Sequence, residues 1–366
     1  MILLTLNIED SSLFTLMKIC IVCGARPNFI KVAPLLRVLK ARQRDFSLIY
    51  TGREDDPTLE SSLFDDLQIP RPDVYLGVDS QSLNEITGRV MGEFDQYLDS
   101  YAADVVIVVD DLASTMAAAI VTKKRGIRLA HLVAGTRSFD ISMPKEVNRL
   151  VIDGLSDLLF TAGISSSSHT TNEGVAQSKV YMVGNILIDN LRFCHNRWQR
   201  PALMDEMGLE EGKYLVLTIN RKALLNDQEN LQRMLTAIAE NAAGVPVVAF
   251  IRHLPCGQDS SLFTLHSSLP YLEFGYLTAH AKGIITDSGN VAEEATFNHV
   301  PCITLNSYTE HIETVKVGTN ELVGEDAQLL GQKVAQMVSG QWKQGELPDR
   351  WDGRTAERIL QILSEE

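Results

Sequence analysis

The stretch Met17–Ala41, MKICIVCGARPNFIKVAPLLRVLKA, reads as a buried strand that runs straight into a helix. Lys18–Cys23 is a nearly continuous apolar run, as expected of a strand covered on both faces. Gly24 gives a small residue at the turn, and Pro27 suits the start of a helix predicted over Asn28–Ala41. Such a turn aims backbone N–H groups beyond the strand end, which suits an anion, and Arg26 and Lys31 add two cations there. A plain turn with solvated cations accounts for these residues equally well. The spacing G-x-G-x-x-G is missing, so a dinucleotide fingerprint is excluded. Cys20 and Cys23 spell C-x-x-C, yet an offset of three on a strand sends their side chains to opposite faces. They read as small core residues, and the five scattered cysteines of the chain suggest no disulfide framework.

The same alternation continues outward. Strands are predicted over Phe46–Thr51, Val105–Asp110, Arg128–Ala134, Leu158–Thr161 and Lys179–Val183, with helices over Ser82–Ser100 and Ser114–Lys124. Alternation of this kind means a parallel, doubly wound α/β sheet. The polar stretch Arg197–Lys213 breaks the rhythm, which then resumes with strands over Tyr214–Ile219, Pro246–Ile251, Gly283–Thr286 and Cys302–Leu305. Helices near Gln228–Asn241 and Ala327–Ser339 accompany them. The expected organisation is therefore two Rossmann-like domains, over 17–197 and 198–345, facing an interdomain cleft. A last helix over Thr355–Leu363, within 346–366, is expected to cross back to the first domain. Residues 1–16 read as an extension ahead of Met17, with Glu9 and Asp10 and no basic start to mark a signal peptide.

A chain of 366 residues suits two domains, and 45% hydrophobic with 22% charged residues is ordinary for a globular protein. Its net charge of −14 argues against nucleic acid as a partner. No run approaches a membrane span, and the cytoplasm is the expected location. His253, His280, His299 and His311 lack metal-ligand spacing, so no metal is expected.

Three further motifs carry chemistry. Val109-Asp110-Asp111 closes an apolar strand where open sheets place functional carboxylates, which favours Asp111 as a functional group, with an Asp N-cap ahead of Ser114 as the plainer alternative. Pro144-Lys145-Glu146-Val147-Asn148-Arg149 opens a helix, where the spacing of Glu146 and Arg149 suits a surface pair and a functional role equally well. Thr286-Asp287-Ser288-Gly289-Asn290 follows a strand and precedes Glu293-Glu294. That turn can hold phosphate through N–H groups and a hydroxyl, with a carboxylate one turn later for ribose.

Taken together the motifs resemble the non-hydrolysing UDP-N-acetylglucosamine 2-epimerases. The resemblance runs in order through GARPNFIKVAPLL from Gly24, QSLNEIT from Gln81, VVIVVDD from Val105 and NRLVIDGLSDLLF from Asn148. It continues through VGNILID from Val183, TDSGN from Thr286 and TEHIETVKVGTNELVG from Thr309. It implies the GT-B fold, a homodimer, no cofactor, and a nucleoside diphosphate sugar as ligand, UDP-GlcNAc foremost. By position it assigns Arg26 and Lys31 to the diphosphate and sugar, and Asp111 to catalysis, while Glu146 is the further catalytic candidate if the acid and base have been relocated. Ser288 and Gly289 form the phosphate turn and Glu294 holds the ribose. Beyond those matches, Arg221, His253 and Asn290 are further candidate binding residues.

The chain departs from the family's pattern at several points. Val133 and Lys145 stand where the family has glutamates, and Ile219-Asn220-Arg221 replaces its Gly-His-Arg. Thr51-Gly52-Arg53-Glu54 replaces the Thr-Gly-Gln-His of its regulatory site. The expectation is a family member with altered or lost chemistry at C2 and no second, regulatory sugar site. The alternatives are an active 2-epimerase with relocated acid and base, and a non-enzymatic nucleotide-sugar sensor or partner subunit.

Overall fold

The computed structural model describes residues 17–173, 176, 179–251, 263–265 and 268–365. Residues 1–16 and His253 lie outside the described residues. The chain divides into two compact units. One comprises the chain through Asn190 together with Asp349–Glu366, and the other is Leu191–Pro348. The division falls within the helix Ile186–Cys194, upstream of the polar break that begins at Arg197.

In the first unit, strands β1 (Ile19–Cys23), β2 (Phe46–Tyr50), β3 (Val74–Tyr75), β4 (Val105–Val109), β5 (Arg128–Ala134), β6 (Leu158–Thr161) and β7 (Val180–Met182) form one parallel sheet. Its order is β3-β2-β1-β4-β5-β6-β7, so the direction of winding reverses between β1 and β4. Ligands of such sheets sit beyond the carboxyl ends of the strands at that reversal. Every residue of β1 and β4 is buried, because helices cover both faces. The helix Thr355–Glu365 belongs to this unit and packs on the helix Arg26–Ala41, burying Ile359, Leu360 and Leu363. Asp189 accepts the N–H of Ala356 at 2.8 Å and fixes the start of that helix.

The register between β5 and β6 shifts between Leu132 and Ala134, which makes Val133 the bulged residue. Its φ of 71° lies in the left-handed region, where a β-branched side chain is a true outlier. Gly135 follows at φ 76°, and a Cβ there would come within 2.2 Å of the Ser166 carbonyl oxygen. Gly135→Ala is expected to destabilise the first unit by about 2 kcal/mol, from the strained φ and the backbone clash together. Urea unfolding checks it, and an unchanged midpoint would contradict the geometry.

The second unit repeats the plan with β8 (Leu215–Thr218), β9 (Val247–Phe250), β10 (Phe263–Leu265), β11 (Gly283–Thr286), β12 (Cys302–Thr304) and β13 (Asn320–Leu322). The order β10-β9-β8-β11-β12-β13, all parallel, reverses between β8 and β11. Leu215, Leu217, Ile285 and Ile303 turn to one buried face, and Val216, Val248, Ile284 and Cys302 to the other. The architecture is thus two Rossmann-like units, as the alternation of short strands and helices predicts. Among the described residues no helix is long and apolar enough to cross a membrane, and no group of His, Cys, Asp or Glu is placed to hold a metal ion.

Candidate functional site

The carboxyl ends of β1, β4 and β5 gather the first unit's candidate residues. Asp111 leaves β4 and is gripped by Arg149, whose Nε lies 2.8 Å and Nη2 2.5 Å from Asp111 Oδ2. Lys145 Nζ stands 3.7 Å from the other carboxylate oxygen. Neither Asp110 nor Asp111 caps the following helix: the N-cap is Leu112, whose N–H is taken by Thr115 Oγ1 at 3.1 Å. The plainer reading of Asp-Asp as a cap therefore does not hold.

Glu146 and Arg149 are not a surface pair either. Arg149 Nη1 donates to Glu146 Oε2 at 3.0 Å, with both side chains only 3% exposed. Glu146 also accepts from the N–H and hydroxyl of Ser138, at 2.9 and 2.8 Å, and from the Phe139 N–H at 3.2 Å. One guanidinium thus ties together both candidate catalytic carboxylates. Burial opposes their ionisation, but it is outweighed. Lys145 and Arg149 hold the Asp111 carboxyl below the usual carboxylate range. The Ser138 N–H and hydroxyl, with Arg149 and the Phe139 N–H, do the same for Glu146. Both are ionised acceptors at neutral pH and weak bases.

Behind them lies a network that the sequence reading missed. His131 Nε2 faces the carbonyl oxygen of Asp110 at 2.9 Å, and its Nδ1 faces Asp153 Oδ1 at 2.6 Å. Both ring nitrogens thus face oxygen atoms of the chain. Asp153 Oδ2 takes Arg137 Nη2 at 2.7 Å and the Gly135 N–H at 3.1 Å. Arg137 reaches on to Glu173 through Nε at 2.8 Å. A histidine in the middle of an apolar strand was the available signal, because a buried polar side chain demands partners.

At β1 the turn is less open than expected. Asn28 Oδ1 accepts the N–H groups of Gly24 and Ala25 at 2.8 and 3.2 Å. Arg26 turns to Glu60 at 2.8 Å, and Lys31 turns to Asp110 at 2.6 Å. A cavity of about 490 Å³ opens here, lined among others by Gly24, Tyr50, Thr51, Arg53, Leu112 and Ser114. Arg53 is held by Asp55 at 2.5 Å with Asp79 at 3.8 Å.

In the second unit the turn after β11 is braced from β8. Asp287 Oδ2 accepts the N–H groups of Asn220 and Arg221 at 2.8 and 2.6 Å. Thr218 and Thr286 share a hydroxyl bond of 2.6 Å, and Thr286 Oγ1 also takes the Ser288 N–H at 3.0 Å. Ser288 is the N-cap of the helix Gly289–Phe297, but its hydroxyl does not cap that helix. This leaves the helix N-terminus unsealed by its own cap residue. Gly289 lies against His311, where a Cβ would come within 2.5 Å of the ring Cδ2. His311 Nδ1 pairs with Glu293 at 2.7 Å, a partner that the sequence reading passed over for Glu294. Glu294 is buried one turn into the same helix, and Asn290 lies in its first turn. Arg221 donates to the Leu305 carbonyl at 3.0 Å and pairs with Glu325.

The family profile described as UDP-N-acetylglucosamine 2-epimerase matches residues 37–364. The chain belongs to that family. It is 32% identical over 367 residues to the UDP-N-acetylglucosamine 2-epimerase of Methanocaldococcus jannaschii, covering 95% of this chain and 99% of that protein. It is 31% identical to the UDP-2,3-diacetamido-2,3-dideoxy-D-glucuronate 2-epimerase of Pseudomonas aeruginosa, covering 84% and 88%. The crystal structure of the M. jannaschii enzyme in complex with UDP-GlcNAc and UDP superposes with a TM-score of 0.84 at 30% identity, covering 96% of this chain and all of that one. This epimerase-family member thus shares the GT-B fold of its relatives.

Proposed function

We propose that the protein binds a nucleoside diphosphate sugar, UDP-GlcNAc foremost, and has lost efficient proton transfer at C2 of the sugar. One observation carries the reading: Asp111 and Glu146 are both locked ionised on Arg149, while the bulge at Val133 offers no ionisable group. Epimerisation needs a base to take the C2 proton and an acid to return it. Losing one such group costs about 10²–10⁴-fold in rate, and here more than one is altered.

Each unit carries groups suited to such a ligand. In the first, Arg26 and Lys31 are cations for a diphosphate; in the second, Arg221 is a further cation, Ser288, Gly289 and Asn290 suit a phosphate, and Glu294 suits the ribose. Cations on a diphosphate favour its departure, so the reading is a nucleotide-sugar enzyme acting at the anomeric C–O bond, by transfer or hydrolysis. Uridine is the expected base, because both relatives carry UDP in their names. A homodimer, a cytoplasmic location and a single sugar site per chain belong to the same reading.

Calorimetry with UDP, GDP, ADP, CDP and dTDP tests it. UDP is expected to bind, with Arg26→Ala weakening it more than Ser288→Ala, since charge-assisted bonds are the stronger kind. Absence of binding to all five at millimolar concentration would overturn the reading.

A further inference from the structure

Lys31 is a cation assigned to the diphosphate, yet a carboxylate of the chain already holds it. Its Nζ lies 2.6 Å from Asp110 Oδ1, with the two side chains 9% and 14% exposed. The second oxygen, Asp110 Oδ2, accepts from Asn28 Nδ2 at 2.7 Å. Asn28 in turn occupies the N–H groups of Gly24 and Ala25 through its Oδ1. Asp110 therefore stands toward this strand–helix turn as a phosphate would: one oxygen on the lysine, the other on the residue that fills the turn.

The carboxylate is held there by its backbone. Asp110 sits at φ 58°, which Asp tolerates better than most residues. Its N–H donates to the Leu132 carbonyl at 3.2 Å, and its own carbonyl accepts from His131 Nε2 at 2.9 Å. Around it charge is balanced internally, with Lys31, Lys145 and Arg149 set against Asp110, Asp111 and Glu146. An anion site ordinarily carries a surplus of cation or open N–H groups.

We propose that Asp110 is a specificity-determining counter-anion, which occupies Lys31 and weakens the hold of this end of the site on phosphate. The inference rests on the reading that Lys31 faces the ligand's diphosphate. A phosphate that reaches Lys31 must break the pair or lie beside a second negative charge, and either disfavours the more highly charged ligand.

Calorimetry with UDP and with uridine tests it on four proteins: the unaltered chain, Asp110→Asn, Asp110→Gly, and Asp110→Asn combined with Lys31→Met. Glycine adopts the positive φ at this position without strain, so the second variant keeps the turn. Both single variants are expected to bind UDP about tenfold tighter, the scale of one charge-assisted hydrogen bond, with uridine unchanged. The double variant is expected to lose the gain. If the unaltered chain binds UDP and neither single variant, folded by circular dichroism, binds it more tightly, the inference fails while the nucleotide-sugar reading stands. A gain that survives Lys31→Met would overturn it equally. If none of the four binds UDP, the underlying reading fails with it.

Discussion

Arg149→Met is expected to cost the first unit about 3–5 kcal/mol, the usual penalty for removing one partner of a buried ionic cluster. The guanidinium serves Asp111 and Glu146 together, and its side chain is 3% exposed. Methionine fills much of the volume, so the loss is one of charge and hydrogen bonds rather than of packing. Two carboxylates would then remain in a buried position, with Lys145 at 3.7 Å and 59% exposed as a poor substitute. Adding Asp111→Asn and Glu146→Gln to the same protein should recover part of the loss, because the uncompensated charges are gone. Urea unfolding followed by circular dichroism measures both. A loss below about 1 kcal/mol for Arg149→Met, the scale of an exposed pair, would mean that the cluster is solvated rather than buried.

Asp153→Asn is expected to cost a similar amount, about 3–5 kcal/mol at neutral pH, since Arg137 would lose its buried counter-ion and His131 its carboxylate partner. The pH dependence distinguishes this site. Burial alone would raise the Asp153 carboxyl, but His131 and then Arg137 hold it below the ordinary value for aspartate. The unfolded chain therefore takes up a proton first as pH falls. The stabilisation from Asp153 is complete above the ordinary value of about 3.9 and is lost as pH drops through the lower folded value. Unfolding at a series of pH values should show a shallower acid limb for Asp153→Asn than for the unaltered protein. Parallel acid limbs would contradict the assignment.

The central strands were legible because Val/Ile runs such as Val105–Val109 are covered on both sheet faces and carry almost no polar interruption. The edge strands Val74–Tyr75, Phe263–Leu265 and Asn320–Leu322 were not legible, since each is two or three residues long with a polar residue inside or beside it, whereas the equally short Val180–Met182 lies in the apolar run 180–183. The candidate carboxylates were found, but their surroundings were misjudged. Glu146 and Arg149 have the spacing of an exposed helix pair, and only the fold turns that face inward toward the end of β4. The Asp110-Asp111 motif suggested a cap because caps are local, whereas the partner of Asp110, Lys31, is 79 positions away. Asn28 fills the N–H groups that looked open at the first turn, which no local rule predicts. Long-range pairing of charges decides how this site behaves, and a single sequence records it only as a set of isolated polar residues.

The central claim, loss of proton transfer at C2, is tested most directly by hydrogen exchange. An active 2-epimerase breaks the C2–H bond and so washes deuterium into C2 from D₂O, accumulating label through every reversible turnover. Proton NMR of UDP-GlcNAc incubated in D₂O with a high concentration of this protein is the measurement, beside an authentic 2-epimerase as control. The H2 signal is expected to persist here while the control loses it. Rapid loss of H2 with this protein would contradict the account, and Asp111, gripped by Arg149 at the end of β4, would become the first base to test.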